Sequence, residues 1–135
     1  MIETATSHTP ADGVSFIGID LFEARSAADG PGVPLKMVHR LLKRTGAAVQ
    51  LIPGDAGEAL ARSANALGTV DLIVISARLD PQSLRRAWYY VPRLLHRGTQ
   101  VFMENILPGG NTSMQLVSPH QINHLATATT MRRAA

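Results

Sequence analysis

The run VDLIVISA (Val70–Ala77) is apolar at odd and even positions alike. That pattern belongs to a strand covered on both faces, as the strands of parallel sheets are. Three more runs read as strands: VSFIGIDLF (Val14–Phe22), AVQLI (Ala48–Ile52) and TQVFME (Thr99–Glu104). Between them the spacing turns helical. Pro34 suits the first turn of a helix whose Leu35, Val38, Leu41 and Leu42 recur until Gly46, with Lys43 and Arg44 in its last turn. Asp55 can cap a second helix through Ala59, Leu60, Ala64 and Leu67, closed by Gly68. Asp80-Pro81 supplies the cap and first position of a third, with a stripe of Leu84, Ala87, Trp88, Val91, Leu94 and Leu95. Pro92 predicts a kink or break within that stripe, and Gly98 an end to the segment. Alternation of this kind predicts an α/β domain, a three-layer sandwich around a mainly parallel sheet of four to five strands.

The remainder is mixed. Residues 1–13 are polar and read as a mobile lead-in to a single domain over 14–135. EARSAADGPGVP is a loop; within it Asp29–Gly32 lacks the Lys-Ser/Thr pair of a phosphate-binding loop. NILPGGNTS turns, MQLVS suits a short strand, and Ser118-Pro119 predicts a helix over 119–132. The low apolar content of that last segment leaves a terminal strand open.

Composition narrows the chemistry. With 135 residues, 45% of them hydrophobic, the chain can bury one ordinary core. Cysteine is absent, which excludes disulfides, thiolate zinc sites and cysteine nucleophiles. Six aromatic residues are too few for a base-stacking platform, so nucleic acid is not an expected partner. No apolar run reaches the roughly 20 residues of a membrane helix, and the start has no leader pattern, so a soluble cytoplasmic protein is expected. Thirteen Lys+Arg face ten Asp+Glu. Arg85, Arg86, Arg93 and Arg97 cluster, and Arg132 and Arg133 adjoin near the end. Such a cluster could meet phosphates, but a solvated helix face is the favoured account, since clustering alone is weak evidence.

Ligands of parallel sheets sit beyond the carboxyl ends of strands. Asp20 and Glu23 follow the first strand, Asp55 the second, Ser76 ends the third, and Glu104-Asn105 the fourth. A strand-end carboxylate can accept both hydroxyls of a ribose. Asp55 beside its Pro-Gly turn could accept from an adenine amino group. Each also has a plain structural use, Asp55 as a helix cap and Asp20 as a loop hydrogen-bonder.

Taken in order, FIGIDLFE, QLIPGDA, VDLIVISA and AWYYVPRLLHRGTQVFMEN resemble the later part of class I S-adenosylmethionine-dependent methyltransferases of the small-molecule O-methyltransferase type, over residues 14–105. The resemblance implies a Rossmann-like fold with S-adenosyl-L-methionine as cofactor. It places Asp20 and Leu21 at the ribose, Gly54-Asp55-Ala56 at the adenine, and Ser76 with Glu104 on the floor of the site. Glu104 or Asn105 would orient or deprotonate a small-molecule acceptor.

The family's first strand and its E/DxGxGxG loop should precede Val14, and no such pattern stands there. The expectation is therefore a truncated domain that retains the adenosine side of the cofactor site and is catalytically incomplete alone. The rival is a non-catalytic subunit or scaffold of the same fold. In the family sheet the missing strand lies between those matching Val14–Phe22 and Val70–Ser76. Its absence leaves three outcomes: the two neighbours pair directly, a homo-oligomer or partner chain covers the gap, or the chain starts further upstream. A metal site is not expected, because Ser76 and Glu104-Asn105 replace the aspartates of metal-dependent members.

Other constellations carry less. His120-Gln121-Ile122-Asn123-His124 has zincin-like histidine spacing, with Gln121 where a general-base Glu would stand. His39 and His96 sit near helix ends, where dipole complementarity suffices. Trp88 fits a buried stripe, and one of Tyr89 and Tyr90 could face a cleft. Ser7, Ser15 and Ser26 lack a nucleophile-elbow setting.

Overall fold

The computed structural model describes residues 13–25 and 32–134, with side chains as far as 128. The lead-in over 1–12, Ser7, Ser26, Asp29-Gly30-Pro31 and the side chains of Arg132 and Arg133 lie outside the described residues. Two compact units are present, Met1–Asp55 and Ala56–Ala135.

In the first unit, β1 (Ser15–Asp20) pairs in parallel with β2 (Ala48–Pro53), in register from Ser15 opposite Ala48 to Asp20 opposite Pro53. The connection between them contains a 3-10 turn (Phe22–Ala24) and the helix α1 (Leu35–Lys43), which packs along β2. Pro34 offers the start of α1 no side-chain cap. The missing acceptor comes from twelve residues upstream, where Glu23 Oε2 takes the Leu35 N–H at 2.7 Å. That bond to a backbone N–H holds the Glu23 carboxyl below its ordinary value of 4.5.

The second unit runs α2 (Ala56–Leu67), β3 (Val70–Ile75), α3 (Pro81–Trp88), a 3-10 turn (Val91–Leu94), β4 (Leu95–Ile106), β5 (Thr112–Leu116) and α4 (Pro119–Ala134). β4 lies between β3, parallel, and β5, antiparallel. Its core joins Ile75 and Val101 of the sheet to Trp88, Val91, Val117 and Ile122. Asp80 caps α3 as expected, its Oδ2 accepting from the Ser83 N–H at 3.0 Å. α2 and α3 meet at Gly57, where an added Cβ would lie 2.7 Å from Arg86 Cβ.

This architecture corrects the expected fold. The strands do not form one mainly parallel sheet of four to five; they divide into a two-stranded parallel sheet and a three-stranded mixed one. Among the described residues, β1 pairs with β2 alone and β3 with β4 alone. The two strands expected to flank the gap thus do not pair directly. One face of the larger sheet carries the exposed side chains of Leu72, Val74, Met114 and Leu116. The physical reason is that no described strand bridges β1 and β3, while the Pro-Gly-Gly turn returns the chain beside β4 in the antiparallel sense.

Boundaries also moved. α3 ends at Trp88, ahead of Pro92, and Pro92 instead opens the 3-10 turn. β4 begins at Leu95, so Gly98 interrupts a strand instead of preceding one. Val70 lies opposite Leu95 but Leu72 opposite Gln100, and the surplus residues form a bulge. Thr99 Oγ1 closes it by donating to the Val70 carbonyl at 2.5 Å and accepting from the His96 N–H at 2.9 Å.

Candidate functional site

At the carboxyl end of the parallel pair, the Gly54 N–H donates to the Asp20 carbonyl at 2.9 Å, extending the ladder one step beyond the strands. The tips carrying Asp20-Leu21 and Gly54-Asp55 therefore adjoin. Gly54 has φ 136°, a left-handed-side conformation for which glycine is the natural residue. Asp20 Oδ2 accepts from the Phe22 N–H at 3.1 Å and Oδ1 from Arg25 Nη2 at 2.5 Å. The first of these bonds secures a sharp turn in which Phe22 is buried at φ 51°, a strained value for an aromatic residue. Gly32 presses on the same turn: a Cβ there would fall 1.8 Å from the Phe22 carbonyl oxygen.

Asp20 is about a third exposed, at 36% of its side-chain surface. An ionised carboxylate has about four lone-pair sites. With one donor on each oxygen among the described residues, both keep capacity for a further one there. Leu21 is half-buried and its carbonyl takes the Ala24 N–H at 3.0 Å. Asp55 is half-buried and has an interaction partner of its own. Ala56 starts α2 and belongs to the second unit.

The other predicted residues form a second constellation, within the second unit. Ser76 Oγ accepts from the Arg78 N–H at 3.2 Å in a tight turn after β3. Glu104 Oε1 accepts from the Ala77 N–H at 3.3 Å, so Glu104 anchors that turn from the neighbouring strand. Asn105 is not brought to the same place. Successive strand residues face opposite sides, and Asn105 Nδ2 donates to Gln115 Oε1 at 3.2 Å. Glu104 and Asn105 therefore cannot address one acceptor atom together.

Remaining motifs resolve into local structure. Ser118 Oγ accepts from the Gln121 N–H at 3.1 Å while Gln121 Oε1 accepts from the Ser118 N–H at 2.9 Å, a reciprocal capping box. Gln121 thereby opens α4, and His120 and His124 line an open depression of about 380 Å³ with Gln121 and Leu125. No group of three or more His, Cys, Asp or Glu able to hold a metal occurs among the described residues. His96 Nδ1 accepts from the Gly98 N–H at 2.9 Å, and its Nε2 lies 2.6 Å from Asp71 Oδ1. With Nδ1 accepting from Gly98, Nε2 is the ring nitrogen left to donate to Asp71. Tyr89 and Tyr90 pack edge to face at 4.9 Å, with the Arg93 guanidinium 5.4 Å from each ring. Arg93 thus lies against both aromatic rings, and its Nη1 donates to Asn65 Oδ1 at 3.5 Å.

Sequence reasoning missed Arg25 and the capping role of Glu23. For Arg25 the spacing of five from Asp20 matches no local motif, and only the turn at Phe22 brings the two together.

No helix of the described residues is long and apolar enough to cross a membrane. No protein-family model, curated protein or solved structure matches the chain.

Proposed function

We propose that the first unit recognises the adenosine portion of S-adenosyl-L-methionine, in a methyltransferase-like chain that is catalytically incomplete alone. The observation that carries this reading is the bond from the Gly54 N–H to the Asp20 carbonyl, which sets the ribose-type and adenine-type strand tips side by side. Asp20 fits a ribose diol: its two oxygens each retain acceptor capacity, and the side chain is partly open to solvent. Leu21 and Gly54-Asp55 complete the adenosine side within the first unit. The cofactor, when bound, supplies an electrophilic methyl group on sulfonium, and the protein's part in such a transfer is mainly to orient the reactants. Ser76 and Glu104 belong to the second unit, where they hold the turn after β3. A cytoplasmic location accords with a chain of 135 residues without cysteine.

A second reading is a non-catalytic subunit or scaffold. It is favoured by the opposed directions of Glu104 and Asn105 and by the engagement of each with its neighbours. In either reading the edges of β1 and β3, which no described strand pairs, suit a homo-oligomer or a partner chain that supplies a strand.

Calorimetric titration with S-adenosylhomocysteine and with adenosine separates the two. The expected result is binding of both, weakened about tenfold or more by Asp20→Ala, as loss of a charged hydrogen-bond acceptor entails. Absence of heat at millimolar ligand, or binding indifferent to Asp20→Ala, removes the adenosine site and leaves the scaffold.

A further inference from the structure

α4 is held to the second unit along one side. Ile122 is buried in the core and Leu125 packs against it. At about 100° of turn per residue, His120 and His124 both fall on the side away from Ile122, one above the other. The helix is regular from its first turn. The Ser118–Gln121 capping box closes it, and the Ile122 N–H donates to the Ser118 carbonyl at 3.0 Å. Both imidazoles border the same open depression of about 380 Å³. His96 has both ring nitrogens engaged, by Gly98 and Asp71, whereas no hydrogen bond or ion pair holds His120 or His124 among the described residues. Because the two belong to one helix, their spacing depends on nothing outside the second unit.

We propose that His120 and His124 chelate a divalent transition cation of the copper, nickel or zinc kind. Residues four apart on a helix carry Cβ atoms about 5–6 Å apart. Imidazole nitrogens reaching in from that spacing can both stand about 2.0–2.1 Å from one metal, as the paired histidines of helical zinc sites do. The donor set decides which cations qualify. Neutral imidazole suits Cu²⁺, Ni²⁺ and Zn²⁺, with Cu²⁺ bound tightest. Mg²⁺ requires oxygen ligands, and α4 contains no Asp or Glu. Two protein nitrogens leave the remaining coordination positions to water. The chain has no cysteine, so no thiolate competes for the metal. The positive end of the α4 dipole opposes a cation, a penalty small beside coordinate bonds to two imidazoles. Gln121 stands where a hydrolytic site would carry its general base, and its Oε1 is turned to the Ser118 N–H, so the pair binds metal without activating water for hydrolysis.

Calorimetric titration of the intact chain with the chlorides of copper(II), nickel(II), zinc and magnesium, in a non-coordinating buffer, tests this. The expected result is one cation per chain for the first three, copper tightest, and no heat from magnesium. His120→Ala and His124→Ala should each weaken binding about tenfold or more, no less than loss of an outer-shell partner costs. Thermal unfolding gives an independent reading. The cation should raise the Tm of the wild type and of neither variant, since it binds the folded helix. Circular dichroism should show both variants folded, as neither ring is part of the core. Binding that survives in both variants overturns the proposal, because the cation then sits elsewhere. Loss in only one of them overturns it too, since a single histidine accounts for that. Absence of heat at millimolar copper does the same.

Discussion

Arg25 Nη2 lies 2.5 Å from Asp20 Oδ1, so the carboxylate at the tip of β1 is partly neutralised by its own chain before any ligand arrives. The pair is 29% exposed on the arginine and 36% on the aspartate, and water screens much of its attraction. Removing Arg25 is therefore expected to matter more for binding than for folding. Arg25→Ala should cost no more than about 1 kcal/mol in chemical denaturation. By freeing Oδ1 it should tighten adenosine binding, read by calorimetry, whereas Asp20→Ala should weaken it about tenfold or more. Weaker binding in Arg25→Ala would mean that the guanidinium itself contacts the ligand.

Glu23 makes the start of α1 acid-sensitive. Its carboxyl is held below 4.5 by the bond from the Leu35 N–H. A lowered folded value means that its contribution is complete above the ordinary range and is lost as pH falls through the lowered one. Carboxyl-carbon NMR titration should find the Glu23 midpoint below 4.5, with the Leu35 amide signal moving in step. In Glu23→Gln that amide should show no such acid step.

Gly57 marks the closest approach of α2 to α3. A methyl there would lie 2.7 Å from Arg86 Cβ, an atom fixed to the backbone of α3, so the helices must part to admit it. Gly57→Ala should destabilise by about 1–3 kcal/mol despite the better helix propensity of alanine. Urea denaturation reads this, and a neutral result would show that the two helices slide apart without cost.

The capping box distinguishes the two uses of the histidine segment. Ser118→Ala and Gln121→Ala should each cost about 1 kcal/mol, because each leaves an N–H at the start of α4 without its acceptor. His120→Ala and His124→Ala, both exposed, should stay within about 0.5 kcal/mol of wild type. Thermal unfolding of the four variants is the check. A large loss at either histidine would reveal a contact for which the helix cap does not account.

Much of the fold was legible along the chain. The apolar runs at Val70 and Ala48, the cap at Asp80 and the start of α4 at Ser118-Pro119 all depend on neighbours within one or two turns, and such neighbours are written in order. The bulge at His96–Thr99 was not legible, because Thr99 Oγ1 finds its acceptor on Val70, in another strand. Of the candidate site, the sequence marked Asp20, Gly54 and Asp55 as strand-tip residues. It did not show that Arg25 engages Asp20, or that Glu104 and Asn105 part to opposite faces with different partners.

Periodicity and capping residues alone determined that this chain alternates strands with helices, because those signals reside in local backbone preferences and in which side chains avoid water. Tertiary structure decided how the strands are shared between sheets, which carboxylate is already partnered and which apolar face is left bare. Those outcomes depend on which distant segment supplies the hydrogen bonds of a strand edge or the cover of a sheet face. No pattern within a single segment encodes that choice.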